Sequence, residues 1–269
     1  THMTPVVVSC AVSFLVMGLA LGAEPLSIDS RLEPLFDDYL IDSVSGTALR
    51  LHAPLPREVA IVFDAPWEGN TSAYWTVFQD GELARMYYRA SNYNLETKEY
   101  GAETVCYAES RDGIHWTKPE LGIVEFNGSK ANNIVWKGIG THNFSPFKDA
   151  SPNCPPDARY KALASGDDKA KLLAFKSSDA IHWSLIQDAP VITEGAFDSQ
   201  NIAFWDATRN RYVDFHRGFK DGVRDIMTST SDDFLAWTKP EWLDYGTTPP
   251  EHLYTNSIVA LDLDTGELQ

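Results

Sequence analysis

Short runs of alternating apolar and polar residues, each stopped by turn-forming residues, fill most of the chain from about residue 57 onward. Ala73 to Phe78 and Ala84 to Ala90 are two such runs, and the Asp80-Gly81 pair between them is a hairpin signal. Thr104 to Glu109 adds a third run. A second group begins near Asn133 to Trp136 and continues through Asn143 to Lys148, Arg159 to Ala164 and Leu172 to Lys176. A third holds Gln200 to Trp205, Arg211 to His216 and Arg224 to Ser229, and a fourth opens with Leu253 to Leu261. A period of two predicts β-strands, and no segment past the first two dozen residues sustains the period of a long helix. Ahead of these groups, Leu35 to Ile41 and Leu49 to His52 read as strands of an entry segment over residues 24–56.

Each complete group contains one short phrase. It reads Ser110-Arg-Asp-Gly-Ile-His-Trp116, then Ser178-Asp-Ala-Ile-His-Trp183, then Ser231-Asp-Asp-Phe-Leu-Ala-Trp237, and the first and third copies run on into Thr-Lys-Pro. Self-similarity at this interval marks a repeat architecture, and units of several short strands are blades of a β-propeller. The phrase reads as structural. Ser and Asp satisfy turn donors, Gly takes a positive φ, and Trp fills the gap between neighbouring sheets. Three units and the start of a fourth leave sheet edges uncovered, so the chain reads as a propeller over residues 57–269 that stops after about three and a half blades.

The apolar run from Val6 ends in Gly22-Ala23 before Glu24, the pattern of a cleaved export signal over residues 1–23. Export predicts a secreted or periplasmic protein with no membrane association after cleavage. It leaves Cys106 and Cys154, which form either one disulfide or two free thiols. The net charge of −16 falls outside the apolar run. An acidic surface disfavours nucleic acid and anionic membranes and is compatible with a neutral carbohydrate or a locally basic cleft. The chain is rich in Trp and Tyr, which build such cores and also stack on sugar rings.

In a propeller the innermost strands of the blades begin around the central axis. The residues at those starts are Trp67-Glu68-Gly-Asn70, Thr141-His142-Asn143, Phe197-Asp198-Ser-Gln200 and Glu251-His252-Leu-Tyr254. Three supply a carboxylate and two a histidine. Paired carboxyls suit glycosidic cleavage, since one must donate a proton to the leaving oxygen while the other attacks or activates water. Asp214 and His216 share one strand face, with Arg217 on the other. Arg217 or Arg224 near the axis would suit the carboxylate or sulfate of an acidic sugar.

On the repeat phrase, the export signal and these acids, the chain resembles the five-bladed propeller superfamily of secreted glycoside hydrolases that contains invertases, fructanases, arabinanases and β-xylosidases. The resemblance covers about residue 57 to the end at the level of architecture. It implies a glycoside hydrolase of poly- or oligosaccharides with Glu68 as base or nucleophile, Asp198 as transition-state stabiliser and Glu251 as proton donor. Asp64 is a reserve acid, and His142, Arg217, His252 and Tyr254 shape the substrate site. The sequence lacks the Trp-x-Asn-Asp-Pro-Asn-Gly, Arg-Asp-Pro and Glu-Cys signatures of invertases, which places it in a divergent branch. Two other readings arise from the same residues: a non-catalytic carbohydrate- or protein-binding propeller, and a sialidase-like hydrolase in which Tyr254 meets Arg217 and Arg224. The phrase is similar to the sialidase Asp-box but lacks the residue between Asp and Gly. No cofactor is implied; His142 and His252, on separate blades, would be a pair for a metal on the axis, and an acidic mouth suits a structural calcium.

Overall fold

The computed structural model describes residues 27–29 and 39–258. Residues 1–50 and 51–269 form separate compact units, and every named strand belongs to the second. The export segment, most of the Leu35 to Ile41 run and residues 259–269 lie outside the described residues. Leu49 to His52 is not a strand: Leu49 and Leu51 are exposed at 61% and 98%, so its alternating pattern has nothing to bury against.

Three antiparallel sheets succeed one another along the chain. The first holds β1 (Ala73–Asp80), β2 (Leu83–Ala90), β5 (Thr104–Ser110) and β6 (Trp116–Thr117) in that order, with β7 (Ile134–Lys137) also along β5. A small hairpin of β3 (Tyr93–Asn94) and β4 (Glu99–Tyr100) interrupts the β2–β5 connection. The second sheet is β8 (His142–Lys148), β9 (Tyr160–Ser165), β10 (Leu172–Ser177) and β11 (Ser184–Leu185). The third is β12 (Ile202–Asp206), β13 (Arg211–Lys220), β14 (Val223–Ser231) and β15 (Glu241–Trp242). Each is a meander whose first strand is innermost, the blade of a propeller. The expected start of the second unit at Asn133 instead closes the outer edge of the first blade, because Val105 and Cys106 pair with Trp136 and Ile134. Strands β1, β8 and β12, with Ser257 and Ile258, line an axial cavity of about 610 Å³.

The repeat phrase builds the same turn three times. Ser110, Ser177 and Ser231 accept from the amide three residues on, and Asp112, Asp179 and Asp233 take the next two amides. The second copy therefore starts at Ser177, one residue before the serine that its sequence suggests. The slot filled by Gly113 at φ 72° is taken by Ala180 and Phe234, both at φ 69°. Each Trp indole then donates back to that residue's carbonyl.

Two of the four apolar clusters among the described residues lie in the seams between blades, and the other two draw on the first and on the third blade. Trp183 packs edge-on against Tyr87 of the first blade and Phe144 of the second. Phe147 and Leu163 of the second blade meet Trp205, Tyr212 and Phe234 of the third. Cys106 and Cys154 are free thiols, and burial pushes the Cys106 thiol up to about 12.

Candidate functional site

The mouth of the axial cavity is shaped by two matching irregularities. The β1–β2 register slips between Ala73 and Thr76, and the β8–β9 register slips between His142 and Ser145. In both bulges the second residue takes a left-handed backbone, Tyr74 at φ 57° and Asn143 at φ 54°. Bulges re-aim side chains, and non-glycine residues in this region are held there only by surrounding structure. Asn143 is held by its amide to the Ser199 carbonyl at 2.8 Å, and Tyr74 by the Arg89 guanidinium 4.8 Å from its ring centre. Gln200 donates to Thr76 Oγ1 at 3.2 Å, so the entries to the first and third blades meet at this end.

His142 is the centre of the polar network. Its Nε2 lies 2.9 Å from Asp198 and its Nδ1 2.9 Å from Glu103, so a carboxylate faces each ring nitrogen. Lys169, from the β9–β10 turn, reaches Asp198 at 3.2 Å. Arg89 lies 3.6 Å from Glu103 and donates to Asn143 Oδ1 at 3.3 Å. Burial alone would raise the Asp198 carboxyl, but hydrogen bonds from His142 and Lys169, with their charges, hold it below the ordinary range. Glu103 behaves in the same way: burial raises it, and His142, Arg89 and Lys169 more than compensate. The Asp198 side chain keeps 52% of its surface open to solvent, while His142 is buried. Beside them is a cavity of about 250 Å³ lined by Glu103, His142, Asp167 and Lys169. Tyr74 continues the network to Tyr254, and burial, aided by that hydrogen bond, lifts its phenol to about 12.

The expected residues fall into separate groups. Asp198 and His142 meet at the mouth. Tyr254 has two guanidinium groups by its ring, Arg217 at 5.0 Å and Arg224 at 5.3 Å from its centre, and it reaches the first group through Tyr74. Glu68 does not join them. It is fully buried, with its carboxylate taking Tyr88 Oη at 2.5 Å, Lys118 Nζ at 2.9 Å and the Ala65 amide at 2.8 Å. Every partner of Glu68 is drawn from the first blade and its flanking loops, so the structure places it apart from Asp198 and His142. Asp64 is an exposed neighbour of the same Lys118 at 3.5 Å. Glu251 is exposed and lines a different cavity, beside the β13–β14 turn, with Lys220 and Asp225. His252 Nδ1 accepts the Arg224 backbone N–H at 3.1 Å, so its ring supports β14. Asp214 and His216 do share a face opposite Arg217, and both are fully buried 2.5 Å apart.

Glu103, Arg89, Lys169 and Tyr74 belong to the site and were not visible as such in the sequence. Arg89 had one signal, a charge one residue before the end of a mostly apolar strand. Glu103 precedes β5 and Lys169 lies in the β9–β10 turn, and only the fold brings them to His142. Among the described residues no group of three or more His, Cys, Asp or Glu is arranged to hold a metal ion, and His142 and His252 share no partner.

No protein-family model matches the sequence, and no match appears among curated proteins. Solved structures do match. A family 117 glycoside hydrolase from the marine bacterium Zobellia galactanivorans is similar at 14% identity and a TM-score of 0.50, over 71% of this chain and 52% of that one. An exo-inulinase from Aspergillus awamori matches at 14% identity and 0.42, over 66% and 40%. A fructofuranosidase from Schwanniomyces occidentalis matches at 14% and 0.44, over 70% and 39%. The chain thus spans about half the length, or less, of the structures it matches. At this identity the likeness shows the fold alone: the chain has a β-propeller architecture.

Proposed function

We propose that this propeller is an exported glycoside hydrolase acting on a poly- or oligosaccharide, with Asp198 as the carboxylate at the reacting centre. The observation that carries this reading is the chain Asp198–His142–Glu103–Arg89 at the entry to the inner strands. Asp198 combines access to solvent with partners that keep it ionised, as needed to stabilise an oxocarbenium-like transition state or to attack it. Trp75, 47% exposed on β1 at the axial cavity, offers a stacking face for a sugar ring. A proton donor must be a carboxyl left protonated, and Asp198 and Glu103 are both held low. Glu251, the donor that the resemblance implies, lines the cavity beside the β13–β14 turn rather than the mouth, so its part in this proposal is the one the variant below tests. Export is proposed from the apolar run before Glu24, and N-terminal sequencing of the secreted protein tests it.

The experiment is a turnover screen over oligosaccharides with the wild type, Asp198→Asn and Glu251→Gln. Asp198→Asn is expected to lower kcat at least a hundredfold with the fold intact, in the range of a lost electrostatic or covalent group. Turnover that survives Asp198→Asn removes the assignment. Wild type that binds a saccharide and never cleaves it favours a second reading, a carbohydrate-binding propeller, which the absence of a protonated acid beside Asp198 also supports.

A further inference from the structure

Arg217 and Arg224 are set apart from the other arginines. Arg85, Arg89, Arg111, Arg209 and Arg211 each have an acid within ion-pair distance, and Arg50, Arg57 and Arg159 are exposed. Arg217 is 4% exposed and Arg224 is half-buried, yet among the described residues neither meets a carboxylate. The Nε of Arg217 donates to the Ala196 carbonyl at 3.2 Å, and the Nε of Arg224 is buried with no hydrogen-bond partner. The register of β13 and β14 pairs Arg217 with Ile226 and Phe219 with Arg224, so both guanidinium groups rise from one sheet face and lie close to the Tyr254 ring. Two guanidinium groups on one sheet face with no carboxylate partner repel each other unless an anion lies near them. A chain with 38 acidic residues has placed none there among the described residues.

We infer that Arg217 and Arg224 form, beside Tyr254, a subsite for an anionic group of the saccharide, a uronate carboxylate or a sulfate ester, so that the glycan bound at this mouth is an acidic one. The inference deepens the carbohydrate reading of the site and rests on it. The planar forks of two arginines match the oxygens of such a group in a way that two lysines would not. The location is right as well. Ala196, which accepts from Arg217, lies two residues before Asp198, and the Tyr254 hydroxyl meets Tyr74, which faces the Asp198 charge. The acidic body repels such a glycan everywhere else, so the pair also fixes where it can bind.

Calorimetric titration of the full chain carrying Asp198→Asn tests this without turnover, with uronate-containing, sulfated and neutral oligosaccharides of equal length at fixed salt. An acidic oligosaccharide is expected to bind about tenfold tighter than its neutral counterpart, as charge-assisted bonds to a planar fork imply. Whether the uronate or the sulfated probe binds identifies the source of the charge. Arg224→Gln and Arg217→Gln should each remove that preference by lowering acidic binding about tenfold more than neutral binding, while Arg217→Lys restores part of it. If Arg217→Gln fails to fold, the half-buried Arg224→Gln carries the comparison. Equal affinity for acidic and neutral probes, equal losses for both in the arginine variants, binding of inorganic sulfate as tight as that of the oligosaccharide, or no binding of any acidic probe overturns the inference. Cleavage of neutral glycans without acidic preference would sink this subsite and spare the hydrolase reading. Acidic binding with an inert wild type would do the reverse.

Discussion

Two acids that look alike in the sequence have opposite surroundings in the fold. Glu68 is enclosed by Tyr88, Lys118 and the Ala65 amide, whereas Asp198 stands half-open beside His142 and Lys169. Replacing a buried, ion-paired carboxylate by an amide leaves Lys118 short of its partner, a cost of about 2 kcal/mol. Glu68→Gln is therefore expected to lower the denaturation midpoint and to leave kcat per folded molecule within a few-fold, while Asp198→Asn does the converse. Urea titration alongside turnover separates them, and a Glu68→Gln protein of native stability without turnover would return Glu68 to the reacting centre. This contrast explains what the sequence could and could not reveal. The position of Asp198 just before an inner strand was legible, because strand starts follow from periodicity. The burial of Glu68 was not, since it depends on Lys118 from the far edge of the blade and on Tyr88 from its second strand.

At the scale of strands and turns, the repeat phrase carried most of the fold. Ser, Asp and Trp at fixed spacing specify the turn through local bonds that need no distant partner. The departures came where tertiary contacts decide: Ile134–Lys137 joins β5 rather than opening a new blade, and Leu49 to His52 finds no sheet at all. The tie between the first two blades at the end of β1 is likewise tertiary. Asp80 accepts from Arg85 at 2.7 Å on its own blade, and from Lys148 and Tyr160 at 2.8 Å on the next. Burial alone would raise its carboxyl, but Lys148, Tyr160 and Arg85 together lower it to about 2. A folded value below the unfolded one means that the contribution is present in full above the ordinary carboxylate range and is lost as pH falls toward 2. Its size is about 2 kcal/mol. Asp80→Asn should cost that amount at neutral pH and flatten the loss of stability between about pH 4 and pH 2. Midpoints measured across that window that fall equally in variant and wild type would count against the tie.

The whole molecule behaves as a row of blades held by its seams rather than around one central core. Trp183 belongs to the seam between the first and second blades, and Trp205 to the seam between the second and third, with no partner in common. Repeat architectures of this kind have energies close to a sum of nearest-neighbour terms. Each tryptophan fills a gap that a smaller side chain leaves empty, so Trp183→Ala and Trp205→Ala should each cost about 3–5 kcal/mol. Because the seams share only the second blade, the double variant should lose the sum of the two to within about 0.5 kcal/mol. A larger coupling would mean that the second blade transmits strain from one seam to the other. The site makes the distinction consequential. His142 opens the second blade and Asp198 precedes the third, so their 2.9 Å contact spans the same junction that Trp205 packs. Strictly independent seams require that Trp205→Ala disturb the His142–Asp198 pair and so lower turnover, while Trp183→Ala at equal cost in stability leaves turnover nearly intact. Kinetics and unfolding measured on the same two variants decide it, and equal losses of turnover in both would show that the mouth responds to the ring as a whole.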